Sequence, residues 1–276
     1  LASVPWMELT AKKLVLPNYN LNNVVLAVKP DGKKLRINQL QLTYLNSSLS
    51  ASGWSSLSDK LSSSLQGTVS SSDYGTLIKH FTAISALRGG RGMMSFNLKW
   101  PGPINHFNLQ KAIGSVRINM HTGAIEQLSQ KTREELGFVR MLNLLSIESI
   151  PRHLMSNFKD LSDKGYLFDL MQGDLKLNKG LIRSNNAFLS GSVASIYLKG
   201  SVVLPTHKLN MHMIVTPHVT ASLPLLATVA GGPIAGAVTL LVSKMISPAV
   251  NQITSQHYRV SGTFSDPKMT KVYPRV

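Results

Sequence analysis

The stretch ASIYLKGSVVLPTHKLNMHMIVTP, residues 194–217, decides the fold class of this 276-residue chain. Its apolar residues fall on every second position, first from Ile196 to Leu204 and again from Leu209 to Val215. A period of two is the pattern of a strand that buries one face. Pro205 and Pro217 end the two runs, since proline cannot donate to a sheet ladder. The pattern predicts two strands of an antiparallel sheet that share an apolar face.

The same alternation predicts strands along most of the chain. In Lys34–Tyr44 the apolar phase slips near Asn38, which predicts a bulge or a tight bend. Periodic leucines across residues 55–72 favour a half-buried strand over a serine-rich linker. The other predicted strands are Leu9–Leu16, Asn23–Val28, Leu49–Trp54, Leu61–Val69, Met94–Trp100, Phe107–Leu109, Val116–Met120, Tyr166–Leu170, Leu175–Leu177 and Tyr258–Phe264.

Three segments lack the alternation of a strand and are predicted to be helical. Two of them have apolar residues at helical spacing, and the third is a long uncharged stretch. Asp73 is a candidate N-cap for a helix that carries apolar residues to Leu87 and stops at Gly89-Gly90. Apolar residues at three-residue steps predict an amphipathic helix over 131–146. Ala221–Ser243 is uncharged over 23 residues but is interrupted by Gly231-Gly232-Pro233. Because proline and glycine break helices, we expect a bent apolar hairpin over 221–247 rather than a membrane span.

Together these elements predict a mainly β chain with several helices, of the α+β class. A curled antiparallel sheet that forms an open, apolar-lined groove is compatible with this pattern, with the apolar helical hairpin near the C-terminus. Two segments are expected: a β-meander with one crossing helix over 1–122, and a C-terminal β-groove segment over 123–276. Alternation alone does not separate such a groove from the closed core of a β-sandwich.

Charge and composition narrow the possible partners. The net charge is +16, and no Asp or Glu lies between Leu175 and Ser265. Anionic partners such as lipid headgroups are therefore favoured. The basic residues are spread singly, without a basic run or an aromatic single-strand signature, so no nucleic acid is expected.

The candidate binding residues belong to three groups. The lipid-groove candidates are Met94, Phe96, Leu98, Ile196, Leu198, Val202, Leu209, Met211, Met213 and Val215. The membrane-docking candidates in the hairpin are Leu223, Leu225, Leu226, Val229, Ile234, Val238, Leu240 and Leu241. The candidates for contact with lipid headgroups are Lys208, Lys244 and Arg259.

Catalytic and metal chemistry find no support in the sequence. There is no cysteine, no Gly-x-Ser-x-Gly elbow and no phosphate-loop spacing at Gly89–Gly92. His207, His212 and His218 are close in sequence, but His207 and His212 differ in strand parity and no carboxylate lies nearby. We predict that the chain is not an enzyme and binds no metal and no cofactor.

An ordered set of short motifs resembles the C-terminal region of the YhdP branch of the AsmA-like family over nearly the whole chain. The motifs are SASGW (50–54), RGGRG (88–92), LKWPG (98–102), LNLLSI (142–147), IPRHL (150–154), FKDL (158–161), KGYLFD (164–169), VTPH (215–218), SLPL (222–225), AGGP (230–233) and YRVSG (258–262). The resemblance implies a Gram-negative envelope protein with a periplasmic β-groove, an inner-membrane anchor outside this chain and a role in moving phospholipid between membranes. It also implies that 1–122 is one groove repeat and that the C-terminal end lies near the outer membrane.

Two hypotheses follow from the pattern and the resemblance. In the first, the chain is the C-terminal module of a periplasm-spanning lipid-transfer protein, which shields acyl chains in its groove and docks at the outer-membrane inner leaflet through the hairpin. In the second, it is a non-conducting structural or tethering domain for outer-membrane homeostasis, which binds outer-membrane or periplasmic proteins or lipid headgroups.

Overall fold

A computed structural model describes residues 6–57, 61–82, 87–125, 166–192, 194–218, 255–264 and 266–273. Within these ranges 13 strands form one antiparallel sheet in which spatial order follows chain order. The strands are β1 (Met7–Leu16), β2 (Tyr19–Asp31), β3 (Lys34–Tyr44), β4 (Ser47–Ser56), β5 (Ser62–Ser71), β6 (Leu87–Pro101), β7 (Ile113–Ile125), β8 (Tyr166–Asn178), β9 (Leu181–Ser190), β10 (Ala194–Val203), β11 (Lys208–Pro217), β12 (Gln256–Gly262) and β13 (Pro267–Val272).

One helix, α1 (Tyr74–Thr82), connects β5 to β6 and packs on β6. Its predicted N-cap is confirmed, since the backbone N–H of Thr76 donates to the Asp73 carboxylate at 3.0 Å. The hydroxyl of Thr76 donates to the same carboxylate, and these bonds lower the pKa of Asp73 below its usual value. A short 3-10 turn at Leu204–Thr206 connects β10 to β11.

Each strand presents an apolar and a polar face, as the alternation predicts. Phe96 lies opposite Gly67 and Val116, whereas the next residue, Asn97, lies opposite Gln66 and Ser115. Because directly paired residues point to the same side of a sheet, apolar side chains collect on one face from β1 to β13. We call this side the apolar face and the other side the polar face.

The predicted bulge in β3 is confirmed. The register between β3 and β4 shifts between the pairs Ile37↔Gly53 and Leu40↔Ala51. An extra residue on one strand restores both Ile37 and Leu40 to the apolar face, which an unbroken period of two would not allow.

At two glycines the backbone has a positive φ angle and a neighbouring strand approaches closely. Gly114 and Gly200 have φ angles of +143° and +148°. A Cβ atom would lie 2.0 Å from the carbonyl oxygen of Asn97 at the first position, and 2.3 Å from that of Asn210 at the second. Glycine kinks of this kind let a sheet curve without strand breaks. The 13 strands therefore form a curled open sheet, with β1 and β13 at its two ends.

The two margins of the sheet differ in construction. At one margin, here the turn rim, backbone hydrogen bonds of 2.8–3.0 Å tie each connection to the next. These bonds are Leu57 N–H to Lys33 C=O, Gly102 N–H to Leu61 C=O, Lys179 N–H to Ala112 C=O, Leu204 N–H to Gly180 C=O and Phe264 N–H to His207 C=O. At the opposite margin, here the insertion rim, α1 connects β5 to β6. The segments 126–165 and 219–254 follow strand ends at this margin, those of β7 and β11.

Three local predictions were wrong. Phe107–Leu109 is not a strand, because the connection between β6 and β7 consists of turns held by bonds such as His106 N–H to Pro103 C=O. Gly89 and Gly90 do not end a helix but lie inside β6. The chain also continues past Tyr258–Phe264 into one more strand, β13.

Several predictions fall outside the described residues. These are the amphipathic helix over 131–146 and the apolar hairpin over 221–247. Among the described helices, none has the length and apolar content needed to cross a bilayer. The expected segment boundary after residue 122 lies inside β7, where His121 pairs with Leu170 and Gly123 with Phe168. The sheet runs unbroken across it.

The close approach at Gly114 predicts a large stability cost for a single methyl group. We expect Gly114→Ala to lower the free energy of unfolding by about 3 kcal/mol, through backbone strain and collision with the Asn97 carbonyl. Gly32→Ala is the control: Gly32 also has positive φ, but open space surrounds it, so the cost should be about 1 kcal/mol. Urea unfolding followed by circular dichroism measures both, and equal costs would contradict the tight bend.

Candidate functional site: the apolar face of the sheet

All ten lipid-groove candidates lie on the apolar face. Met94, Phe96 and Leu98 lie on β6, where Met94 pairs with Val69 on one side and Ile118 on the other. The remaining seven candidates lie on β10 and β11. They are Ile196, Leu198, Val202, Leu209, Met211, Met213 and Val215. Cross-strand pairs such as Ile196↔Val215 and Leu198↔Met213 place them side by side.

Over β2 to β7 the middle of the apolar face, around Phe96, is partly buried, whereas Val28 and Ile37 in the same strands are buried. Phe96 is partly buried and belongs to neither hydrophobic core cluster of the described residues. Its cross-strand neighbourhood has little side-chain volume, because Gly67 and Ala51 lie in the same row on β5 and β4. Other half-buried apolar residues surround this region: Leu26, Leu40, Leu42, Leu49, Leu65, Val69, Val116 and Ile118. We call this region the open part of the apolar face.

Over β8 to β13 a core cluster encloses much of the apolar face, while Leu198, Val202 and Met211 are partly buried. Met213 and Val260 have no accessible surface, and Ile196 retains 2%. These side chains belong to one core cluster that also includes Leu209 and Val215. Such side chains are held at the packing density of a protein interior. We call this region the filled part.

Near the insertion rim, the buried Tyr74 and the partly buried Tyr166 lie at one margin of the apolar face. Tyr74, the first residue of α1, is 1% exposed and donates its hydroxyl hydrogen to the carbonyl of Val69 at 2.5 Å. Burial raises the pKa of Tyr74 to about 12. Tyr166 donates similarly to the carbonyl of Ala194, and its pKa is raised by burial and by the charge of Asp169. Both hydroxyls therefore stay neutral donors at physiological pH.

Buried serines on β4 and β5 flank the small residues of the open part. Ser47 donates to the hydroxyl of Ser71 at 2.8 Å, and the hydroxyls of Ser55 and Ser63 lie 2.9 Å apart. Because each hydroxyl has a partner, these buried polar groups carry no unmet hydrogen-bond cost. The apolar stretch of β4 and β5 therefore begins and ends at paired serines.

The polar face carries the charges and contains a cleft of about 470 Å³ at β7–β10. There the Arg117 guanidinium binds the Asp174 carboxylate at 2.6 Å, and Asn186 donates to the same group at 2.8 Å. These bonds hold the pKa of Asp174 below its usual value. On β11, burial and the neighbouring His257 and Lys199 charges lower the pKa of His212.

The three headgroup candidates are not brought together by the described residues. Arg259 lies on the polar face of β12, opposite His212. Lys208 begins β11 at the turn rim, whereas the hairpin segment follows the other end of β11, at Pro217. These two ends of the strand are nine residues apart, which is roughly 30 Å. Lys244 and all eight hairpin candidates lie outside the described residues.

The histidines noted in the sequence are also dispersed. His207 stacks on Phe264, His212 lies beside His257, and His218 is hydrogen-bonded to Ser195. In the part of the chain that the structure describes, no three His, Asp or Glu side chains are grouped to hold a metal ion.

Comparison with known proteins places this two-faced sheet in a family. The sequence model described as YhdP protein matches residues 2–269. The chain belongs to the YhdP family. The intermembrane phospholipid transporter YhdP of Escherichia coli (strain K12) is 31% identical over 133 residues, which are 48% of this chain and 10% of that protein. The matched region thus spans about a tenth of the curated relative. No solved structure matches the chain.

Membership of the YhdP family bears on two predictions. The resemblance seen in the short motifs is confirmed, because the family match covers almost the whole chain. The prediction that the chain is not an enzyme agrees with the name of the relative, which is that of a transporter.

The residues of the open part outside β6 were missed as site candidates. Leu65 and Val116 have the same alternation as the candidates on β6, and they pair with Leu98 and Phe96. The alternation within each strand contained this signal, but its use requires the register between strands, which only the bulges and turns determine.

The contrast between the open and filled parts predicts different costs for equivalent truncations. Met213→Ala should lower the free energy of unfolding by about 3 kcal/mol, because it leaves a cavity in a closed cluster. Phe96→Ala removes a larger side chain but should cost about 1 kcal/mol, because this side chain is already partly in solvent. Denaturant titrations measure both. A cost for Phe96→Ala equal to that of Met213→Ala would contradict the division.

Proposed function

We propose that this chain is a lipid-transfer segment of an envelope protein, in which the open part of the apolar face shields phospholipid acyl chains from water. The observation that carries the proposal is the single curled sheet with one continuous apolar face and one polar face. Family membership and the relative named as an intermembrane phospholipid transporter support it.

The dimensions of the open part suit an acyl chain. From β2 to β7 there are five inter-strand steps of about 4.8 Å, or roughly 24 Å across the strands. One leaflet of a bilayer holds roughly 15 Å of hydrocarbon, half of its apolar thickness. An acyl chain lying across these strands would therefore contact apolar side chains along its length, with about 0.8 kcal/mol gained for each buried methylene.

The proposal includes membrane docking by the apolar hairpin over 221–247. Its eight apolar candidates would enter a leaflet, and Lys244 would meet phosphate groups at its base. Arg259 lies three residues from the start of β12, where the chain returns from this segment. The outer-membrane inner leaflet is the proposed target, and the periplasm the proposed compartment.

A structural alternative is favoured by the filled part of the apolar face. Because Met213, Val260 and Ile196 are enclosed, β8 to β13 have the packing of an ordinary core. In this alternative the chain conducts no lipid and serves as a tether or scaffold that binds envelope proteins or lipid headgroups. The two candidates differ in what the open part holds.

A charge placed in the open part separates the two functions. Phe96→Asp should remove most of the phospholipid that co-purifies with the chain, because a carboxylate opposes acyl-chain burial. Asn97→Asp is the matched control, one residue along the same strand and on the polar face. Solvent extraction and mass spectrometry give lipid per protein, and circular dichroism monitors the fold.

If the folded Phe96→Asp variant retains as much lipid as the Asn97→Asp variant, the acyl-chain proposal fails and the structural alternative is favoured. The same conclusion follows if the unsubstituted chain carries no phospholipid.

The hairpin proposal has its own test. Leu225→Asp or Leu241→Asp should weaken co-sedimentation with liposomes while the β-sheet circular dichroism signal is kept, because a charge opposes entry into the leaflet. Loss of the circular dichroism signal would mean that the hairpin belongs to the core, and its docking role would be withdrawn.

A further inference from the structure

Four exposed apolar side chains lie in two consecutive connections of the turn rim. Leu57 and Leu61 flank the connection between β4 and β5 and are 40% and 45% exposed. Phe107 and Leu109 in the next connection are 49% and 42% exposed. The two connections are joined by the hydrogen bond from Gly102 N–H to Leu61 C=O at 2.9 Å. We call these four residues the rim patch, and large apolar side chains grouped at a surface in this way mark interaction sites.

The rim patch is fixed in position by buried neighbours. Phe107 packs edge-on against Trp100, with ring centroids 5.2 Å apart. Trp100 is 3% exposed and donates its indole N–H to the carbonyl of Pro103 at 3.2 Å. Ala112, at the end of the same connection, is fully buried in the cluster that contains Trp100. The exposed side of Phe107 is therefore held outward by a packed base.

Basic and aromatic side chains lie on the strands and connections next to the rim patch. On the adjacent polar face, the ammonium groups of Lys34 and Lys99 lie 4.1 Å and 5.6 Å from the ring centroid of Trp54. Lys111 lies two residues after Leu109 in the connection between β6 and β7. The backbone N–H of Lys179 donates to the carbonyl of Ala112, which places Lys179 beside the end of that connection. Tryptophan beside lysine, next to exposed leucine and phenylalanine, is the composition of protein segments at a membrane–water interface.

The charge of this region selects an anionic partner. On the neighbouring connection between β2 and β3, the carboxylate of Asp31 is already bound by Arg36. Lys34, Lys99, Lys111 and Lys179 therefore outnumber Asp31, the described carboxylate on the neighbouring connection. Each such lysine near an anionic membrane contributes about 1 kcal/mol to binding.

We propose that the rim patch is a second membrane-contact site, which rests on the surface of an anionic phospholipid bilayer. This inference rests on the proposed function in one respect, that the partner is a phospholipid membrane. What it adds is the place at which the sheet itself contacts that membrane. The rim patch borders β4–β7, the strands of the open part. Contact there would bring lipid to the margin of the half-exposed apolar face.

The absence of cysteine from the chain allows a direct test with one fluorescent label. Phe107→Cys is labelled with an environment-sensitive fluorophore and mixed with vesicles of phosphatidylglycerol and phosphatidylethanolamine. Emission should rise several-fold and shift to the blue as the label leaves water. Met93→Cys is the control, because Met93 is equally exposed but lies on the polar face of β6, roughly 23 Å along the strand from Trp100.

Two further arms identify the source of the response. Lys111→Glu combined with Lys179→Glu should reduce it, and vesicles of phosphatidylcholine alone should give little. A label at 107 that does not respond while the chain co-sediments with vesicles would overturn the inference and leave the hairpin as the contact. A label already shielded without vesicles, in proportion to protein concentration, would also overturn it, because a second copy of the chain would then cover the patch.

The test is independent of acyl-chain binding. Phe96→Asp should lose co-purified phospholipid but keep the vesicle response of the label at 107, because residue 96 lies outside the rim patch. Loss of lipid in Phe96→Asp with no response at 107 would refute the rim patch alone, and the reverse pattern would refute the acyl-chain proposal alone.

Discussion

The structure depends on one constraint: the strands inside the sheet have an apolar side that must be kept from water, and no second sheet covers it within the described residues. Burial of apolar area is the main force that stabilises a fold, so a flat sheet of this composition would not be stable alone. Curling brings the apolar sides of distant strands together. Kinks such as those at Gly114 and Gly200 permit the bend, and α1 covers part of one margin.

The constraint is met unevenly, and this unevenness gives the chain its proposed activity. In β8 to β13 the enclosed cluster around Met213 provides the stability of an ordinary core. Around Phe96 the small residues Gly67 and Ala51 add little side-chain volume, and the partly buried apolar side chains there have area that a ligand could still cover. A transfer segment needs both an enclosed core and a partly exposed apolar region, because apolar area that its own side chains already cover cannot also bind lipid.

The sequence was sufficient where the signal is local. Alternation predicted the faces of Met94, Phe96 and Leu98, and the slip in β3 was visible because Ile37 and Leu40 break parity. Strand β13 was missed because an edge strand with Lys268 and Lys271 buries little and has almost no apolar period. Gly89 and Gly90 were misread because the same glycine chemistry serves a helix end and a strand kink. Alternation also could not separate Met94 from Met213, since their different burial depends on how far the sheet curls.

The most direct measurement of the central claim is photo-crosslinking of phospholipid along β6. A photoreactive amino acid is placed in turn at positions 94 to 99, and the crosslinked lipid is quantified after irradiation. Because Phe96 and Asn97 point to opposite faces, the account predicts crosslinks at positions 94, 96 and 98 and none at 95, 97 and 99. Equal crosslinking at both sets of positions, or none at any, would contradict the claim that the apolar face of this sheet holds acyl chains.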